Sequence, residues 1–354
     1  MNLLERYLGR VVLFATLMVL TVLLGIEVFF TLVDEFGDVG KGAYGFADAI
    51  AYVALTLPRR AYTMLPVAAL LGTVVGLGVL ASHGELVVLR AAGLSVLRIA
   101  LGVLKTGALI ALGGLLIGET LAPPLEHYAQ AQRTQAQTNR VTLQTEEGFW
   151  AKDGTTFIHI QDIRPGAALA GVTIYEFGSD NRLRVAGYAK GARYREGHWV
   201  LEGLQQSLIE DGRVSTVEVK EALWETIISP ELLSVAIVQA ENLSALGLYR
   251  YVDYLKSNGL DYTRYELAFW QRLAKPLATL VMVLLAVPFT FGPMRSTHTG
   301  ARLLAGAVVG FGFHLFNLVA GQMSLVYGLW PAVGATLPSL LGLTLALLWI
   351  RRIT

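Results

Sequence analysis

A polar segment of the chain, at about residues 130–265, lies between two groups of long apolar segments. Within it, apolar and polar residues alternate in short runs separated by turn-forming residues. A helix needs about 20 apolar residues to cross a hydrocarbon core ~30 Å thick, and the apolar segments reach that length. This layout predicts a membrane protein that holds a folded domain on one side of the bilayer, between two halves of its transmembrane body.

Six apolar segments are predicted to span the membrane. Only 16% of the residues are charged, whereas an ordinary soluble domain has about 25%. The first segment is too long for the apolar core of a signal peptide, and no small-residue cleavage site follows it, so we expect it to remain as a span. The predicted spans are 11–33, 61–81, 99–118, 273–291, 303–323 and 331–350.

The polar segment has the pattern of an antiparallel β domain. From 142 to 228 the alternation indicates about eight short strands, and Asp153-Gly154 between two of them is a strong hairpin signal. An amphipathic helix over 246–255 should follow and end near Asn258-Gly259. The fold class is therefore an α-helical membrane protein with six transmembrane helices and an inserted all-β domain of jelly-roll or β-sandwich type. Its parts are 1–129, 130–245 and 246–354.

The positions of Lys and Arg near the span ends predict the orientation, because cytoplasmic connections carry an excess of both. The other set of connections is more acidic, with Asp34, Asp38 and Glu119 opposed mainly by Lys41 and two arginines. Both termini are thus expected in the cytoplasm and the β domain outside. The arginines that define the cytoplasmic side are Arg6, Arg10, Arg90, Arg98, Arg295, Arg302, Arg351 and Arg352.

The composition and motifs favour a binding or conduit role over catalysis. The β domain has His159 and His198 but no arrangement of Asp, Glu or Ser around them that suggests a triad or a metal site. Cys is absent, and the net charge of +1 provides no basic field for nucleic acid. The chain lacks a GxxxxGK[ST] loop, so ATP-driven work would need a separate ATPase subunit.

Polar residues inside the predicted spans are candidates for function. Glu27, in the first span, indicates either a site for substrate or partner or an interhelical hydrogen bond, and the sequence does not choose between them. His314, Asn317 and Gln322 form a polar stripe on the fifth span, a pattern that often serves only helix packing.

A short helix is predicted between the second and third spans. Ser82 should cap it, Glu85 suits its first turn, and Gly93 should end it. Its acidic start, apolar ridge and Arg90 suit docking in a groove of a soluble partner. Resting on lipid headgroups is the other interpretation, and the pattern alone favours neither.

Four motifs occur in order along the chain: LERYLGR at 4–10, ELVVLRAAG at 85–93, GFWAKDG at 148–154 and FGPMRS at 291–296. Together they resemble the lipopolysaccharide-export permease family. The segments YVDYLK at 251–256 and VYG at 326–328 suit its LptG branch rather than its LptF branch. The resemblance covers nearly the whole chain.

The resemblance implies a permease subunit in the bacterial inner membrane, with a periplasmic β domain. Such permeases extract lipopolysaccharide from the outer leaflet and pass it to a periplasmic protein bridge. The implied partners are an LptF-type permease, a dimer of LptB-type ATPase and an LptC-type bridge protein, besides membrane lipids. No cofactor is expected on this chain, because ATP and Mg would bind to the ATPase.

The resemblance also assigns roles to residues. The coupling helix corresponds to 82–93, with Glu85 as the acidic contact to the ATPase and Leu86, Leu89 and Arg90 beside it. Lys41 and Arg133 are the implied ligands of lipid phosphates. The lateral gate and cavity would be formed by Glu27, Phe30, Val33, Asp34, His314, Asn317 and Gln322.

Three alternatives remain open at this point. The chain could take the LptF role in the same complex. It could be an ion-coupled secondary carrier, although such carriers favour paired membrane carboxylates in two repeats, and Glu27 stands alone in the sequence. It could also be a scaffold that only presents the outer β domain.

Overall fold

A computed structural model describes residues 3–138, 148–164, 168–178, 180, 182–195, 198–210, 213–224, 226, 243–291 and 299–353. The chain divides into two compact units. The first comprises residues 1–37, 53–126 and 263–354, and the second comprises residues 38–52 and 127–262. The predicted domain boundaries near 129 and 245 remain predictions.

Six helices are long and apolar enough to cross a membrane, as the sequence predicts. The short helix α3 (Glu85–Ala91) lies between the second and third of them. A π-helical turn over Ile117–Leu121 joins α4 to α5 (Ala122–Thr138), so the third span continues as one long helix. The six are α1 (Leu3–Phe36), α2 (Phe46–Ser82), α4 (Val96–Leu116), α7 (Thr263–Phe291), α8 (Thr299–Val326) and α9 (Pro331–Ile353).

Helix α7 is the centre of the first unit. Its residues from Val281 to Phe291 are all buried, and they pack against α4 and α9. Glycines permit the close approach: a Cβ on Gly107 of α4 would lie 3.1 Å from the Val283 side chain, and one on Gly342 of α9 would lie 2.9 Å from Val281. Small residues at such contacts are the usual means by which membrane helices pack closely.

Helix α1 is packed mainly along its N-terminal part. Leu8, Val12 and Thr16 are buried there, and Thr16 lies directly against Gly72 of α2. Beyond Thr16, the only buried residue of α1 is Glu35, near its end. The middle and C-terminal parts of this helix are therefore packed less tightly, with half-buried rather than buried side chains.

The second unit contains a six-stranded antiparallel sheet in which neighbouring strands follow the chain order. Asp153 pairs with Thr156, so Gly154 and Thr155 form a two-residue hairpin turn, and Gly154 has a φ of 59°. The predicted hairpin is therefore confirmed. The positive φ of Gly154 gives the turn a twist that matches the twist of the two strands. The strands are β1 (Phe149–Asp153), β2 (Thr156–Arg164), β3 (Ala168–Phe177), β4 (Leu183–Arg195), β5 (His198–Glu210) and β6 (Arg213–Trp224).

The predicted amphipathic helix is present as α6 (Ala245–Ser257) and belongs to the same unit as the sheet. Ser244 caps its start by accepting a hydrogen bond from the Gly247 amide, and Asn258 is its C-cap. The Tyr254 hydroxyl donates to the Lys152 carbonyl of β1 at 3.0 Å. This contact fastens α6 to the first hairpin.

Some predicted features lie outside the described residues. They include most of the FGPMRS motif with Arg295, and the side chain of Arg302. Parts of 142–228 also fall outside, so the predicted count of about eight strands remains a prediction beside the six that are described.

Candidate functional site

The short helix α3 begins at a different residue than the sequence suggests. Its N-cap is Gly84, in a left-handed conformation with a φ of 76° and no side-chain cap. The prediction that Ser82 caps α3 is wrong: Ser82 is the last residue of α2, and its hydroxyl donates to the Val79 carbonyl. At the other end, the amides of Gly93 and Leu94 bond to carbonyls of the last turn, so the predicted stop at Gly93 is confirmed.

The two faces of α3 differ in how far their side chains are buried. Leu86 is buried among Leu8, Val96 and Ile99, and Leu89 packs against the same cluster. Leu86 and Leu89, which were both predicted to contact the ATPase, therefore face the interior of the first unit. The opposite face exposes Val87 and Val88, with exposed fractions of 55% and 68%, and Arg90 is also exposed. These two valines were missed because a seven-residue helix is too short for its periodicity to identify the outward face.

Glu85, the predicted acidic contact, is connected to helix α1. The Tyr7 hydroxyl donates to its carboxylate oxygen Oε2 at 2.8 Å. Two residues earlier on α1, Glu5 forms an ion pair with Lys105 of α4 at 2.6 Å. The start of α1 is thus joined to both α3 and α4 by polar contacts, in addition to the apolar cluster around Leu8.

In the second unit, the two predicted phosphate ligands meet at one carboxylate. Asp38 accepts from Lys41 Nζ and from Arg133 Nη2, both at 2.6 Å. Gln137 donates to the same carboxylate at 3.3 Å, and the Arg133 guanidinium lies 5.1 Å from the centre of the Tyr52 ring. The sequence placed Lys41 and Arg133 only on separate segments, and the structure brings them together around an anion.

The Asp38 carboxylate is held ionised by these partners. The hydrogen bond from Lys41 is the largest influence on its pKa, and the bond from Arg133 adds to it, so the pKa lies below the usual 3.8 despite some desolvation. Two cations around one carboxylate leave a local excess of positive charge. Such a cluster can bind an anionic group if that group replaces Asp38 as the partner of either cation.

Glu27 forms an interhelical contact, which is one of the two interpretations that the sequence left open. Its Oε1 accepts from Arg60 Nη1 of α2 at 3.0 Å, and the same Nη1 donates to the Thr31 hydroxyl at 2.7 Å. Both side chains of the pair are largely buried, with 18% of Arg60 and 26% of Glu27 exposed.

The other residues predicted for a gate or cavity are mostly on open surfaces. Phe30 and Val33 of α1 are 62% and 54% exposed, and Asp34 is exposed. On α8, Asn317 is half-buried. His314 and Gln322 are exposed, and their side chains make no hydrogen bond within the described part of the chain.

Two further ion pairs were not predicted. Arg59 of α2 pairs with the buried Glu126 at 3.4 Å. Arg272, itself buried, donates to Glu119 and to the Gly118 carbonyl in the π-helical turn. The sequence features that could have indicated these pairs are Arg59 and Arg60, just before the second predicted span, and Arg272, just before the fourth. Within the described residues, no three His, Asp or Glu side chains are arranged to hold a metal ion.

Comparisons with known proteins agree over nearly the whole chain. Residues 6–352 match the family described as "Lipopolysaccharide export system permease LptF/LptG". The chain is 37% identical over 339 residues to the lipopolysaccharide export system permease protein LptG of Escherichia coli K12, which covers 95% of this chain and 94% of that protein. It is 36% identical over 342 residues to the protein of the same name from Haemophilus influenzae, covering 96% of each.

Proposed function

The chain belongs to the lipopolysaccharide export system permease LptF/LptG family, and from this premise we propose that it is the LptG-type membrane subunit of an ATP-driven lipopolysaccharide extractor. Whole-length similarity to two LptG proteins carries the proposal. The architecture agrees with it, since six apolar helices accompany one inserted antiparallel sheet. In this role, the protein moves lipopolysaccharide from the outer leaflet of the bacterial inner membrane toward a periplasmic bridge.

The energy would come from a partner. The chain has no GxxxxGK[ST] loop to hold nucleotide phosphates, so ATP and Mg would bind to an LptB-type ATPase dimer. An LptF-type permease would complete the membrane body, and an LptC-type protein would receive the lipid. With both termini cytoplasmic, α3 faces the ATPase and the sheet lies in the periplasm, as the arginine distribution favours.

Helix α3 is the proposed contact with the ATPase. Glu85 supplies an acid at its start, and the exposed Val87, Val88 and Arg90 supply the remaining surface. The inward leucines bury their side chains with Leu8 and Ile99. A push on α3 is therefore transmitted through close-packed side chains to α1 and α4, because packed interiors move as blocks rather than deform.

The lipid would be held by two kinds of contact. Its acyl chains would lie against exposed apolar residues of the membrane helices, such as Phe30 and Val33. Its phosphates would bind to Lys41 and Arg133, where Arg offers a bidentate fork and Lys a compact charge. Asp38 occupies both cations in the present arrangement, so a phosphate has to compete with it.

The test is a charge reversal at the α3 start in the complete complex reconstituted in vesicles. Glu85→Arg should abolish ATPase docking and ATP-dependent release of lipopolysaccharide, while the permease still folds and assembles with its paralogue. His83→Arg is the matched control, since it adds positive charge to the same exposed connection and should leave release unchanged. Normal docking and release by Glu85→Arg would contradict the proposed coupling, and a purified complex that releases no lipopolysaccharide would contradict the function itself.

A further inference from the structure

The C-terminal half of α1 is packed less tightly than its N-terminal part, because its inward side chains are half-buried rather than buried. Between Leu17 and Asp34 no residue of this helix is buried, and in the most apolar window of α1 only 11% of the residues are buried. By contrast, its N-terminal part is fixed by Leu8, Val12 and Thr16. Dispersion and apolar burial thus hold the N-terminal part of the helix firmly, and they contribute less in the C-terminal half.

Polar contacts with Arg60 of α2 add to this looser packing. One nitrogen of its guanidinium, Nη1, donates to Glu27 Oε1 at 3.0 Å and to the Thr31 hydroxyl at 2.7 Å. Its Nε donates to the Thr56 hydroxyl on α2 at 3.1 Å. Thr56 therefore orients the Arg60 guanidinium on its own helix. Glu27 and Thr31 lie on successive turns of α1. A single side chain of α2 thus contacts two successive turns of α1.

The position of this pair makes its attraction strong. Both side chains are mostly shielded from water, and both lie next to apolar spans, where charges attract more strongly than at a wet surface. Removing one partner of a buried pair leaves the other charge uncompensated, which is more costly than removing both. The second carboxylate oxygen of Glu27 is buried without a hydrogen-bond partner among the described residues. The Glu27 side chain therefore depends on Arg60 for compensation of its charge.

We propose that Arg60 is a positioning residue that holds the C-terminal half of α1 against α2, and that release of its contact with Glu27 and Thr31 lets this half of α1 move aside. The inference rests on the proposed function in one respect: the movement would open the membrane body to a lipid. The attachment itself follows from the contacts of Arg60 and from the absence of fully buried residues along 17–34 of α1.

The experiment measures the distance between α1 and α2 directly. The chain has no cysteine, so nitroxide labels can be attached at Phe30→Cys and Ala54→Cys, which are both exposed. Pulsed electron resonance on the complete complex in nanodiscs then gives the distance distribution. With Arg60 present we expect one dominant distance. Arg60→Ala should raise the population of longer distances by about tenfold or more.

Two further variants separate attachment from general damage. The exchange Glu27→Arg with Arg60→Glu restores opposite charges across the helices and should restore the dominant distance. Arg59→Ala removes the neighbouring arginine of α2, which pairs with Glu126 instead, and should leave the distribution unchanged. An unchanged distribution in Arg60→Ala would overturn the proposal, as would the same broadening in Arg59→Ala or failure of the exchange to restore the distance.

A second readout distinguishes this inference from the proposed function. In the same samples, release of lipopolysaccharide per ATP hydrolysed should fall in Arg60→Ala and recover in the charge exchange. If the unaltered complex releases none, the proposed function fails, while the distance measurement still decides whether Arg60 holds α1. If release is normal in Arg60→Ala although the distances broaden, the attachment exists and its role in lipid entry is refuted.

Discussion

Replacement of Gly72 by alanine tests the contact that fixes α1. A Cβ at this position would lie 2.3 Å from the Thr16 Cα and 2.6 Å from the Thr16 amide nitrogen, whereas ordinary contact begins at 3.4 Å. The obstacle is the backbone of α1, which cannot rotate away as a side-chain end could. The two helices must therefore separate by about 1.1 Å, the difference between 2.3 and 3.4 Å.

The expected cost follows from comparison with a second glycine of α2. Gly78 is also buried, yet a Cβ there would meet nothing within 4 Å. Both substitutions gain about 1 kcal/mol from replacing glycine within a helix, so the difference between them isolates the overlap with Thr16. Overpacking of this kind costs roughly 1–3 kcal/mol. We therefore expect Gly78→Ala to be more stable than the parent, and Gly72→Ala to be less stable than Gly78→Ala by that amount.

The free energy of unfolding can be measured by titrating the detergent-solubilised chain with SDS and following tryptophan fluorescence, for which the chain has 6 tryptophans. A difference of 1–3 kcal/mol corresponds to about 5-fold to 150-fold in the equilibrium constant, which the titration resolves. Equal stability of Gly72→Ala and Gly78→Ala would refute the close approach of α1 and α2 at Thr16.

Two other substitutions test contacts of the candidate sites. Tyr7→Phe removes only the hydroxyl that donates to Glu85, so ATP hydrolysis by the complex should persist while lipid released per ATP falls. An additive loss when it is combined with Glu85→Gln would indicate that the two residues act separately. Asp38→Asn removes the negative charge that Lys41 and Arg133 both contact and should strengthen crosslinking of lipopolysaccharide to a photoreactive residue placed at Gln137. Since the folded pKa of Asp38 lies below 3.8, its contribution to stability is complete above 3.8 and lost only as the pH falls through the lower value, so the Asn variant should differ from the parent equally at pH 6 and pH 8.

The sequence predicted the elements that depend on local pattern. The six spans follow from length and hydropathy, because a bilayer imposes the same requirement on every spanning helix. The hairpin at Asp153-Gly154 and the helix end at Asn258-Gly259 follow from backbone conformations that few residues adopt. These predictions needed no knowledge of which elements contact each other.

The capping error at Ser82 has a local cause of a different kind. Serine before an apolar run is a common N-cap, but here α2 continues through Ser82, so the connection to α3 has only two residues and Gly84 alone can turn the chain. The pattern could not show where α2 ends, since the preceding residues are apolar as well.

The ion pairs were beyond prediction because each joins residues distant in the sequence. Glu27 clearly needed a partner in an apolar span, yet Arg59 and Arg60 were equally placed to supply it. One residue corresponds to 100° on a helix, so adjacent arginines face different neighbours. The structure directs Arg60 to Glu27 and Arg59 to Glu126. The rotation of α2 about its own axis determines which arginine reaches Glu27. Contacts such as that of Gly72 with Thr16 fix this rotation.

The contacts of α1 together restrict how it can move. Its N-terminal part cannot separate from α2 and α3 without exposing Leu8, Val12 and Leu86, whereas the contact with Arg60 can be exchanged for another polar partner at little cost. Movement should therefore be a rotation about the Thr16 contact with Gly72. The arm from Thr16 to Phe36 is about 30 Å long, and the arm from Thr16 to Tyr7, which contacts Glu85 of α3, is about 14 Å, at 1.5 Å per residue. A displacement imposed by α3 at Tyr7 is thus enlarged about twofold at the far end, beyond the residues that Arg60 holds.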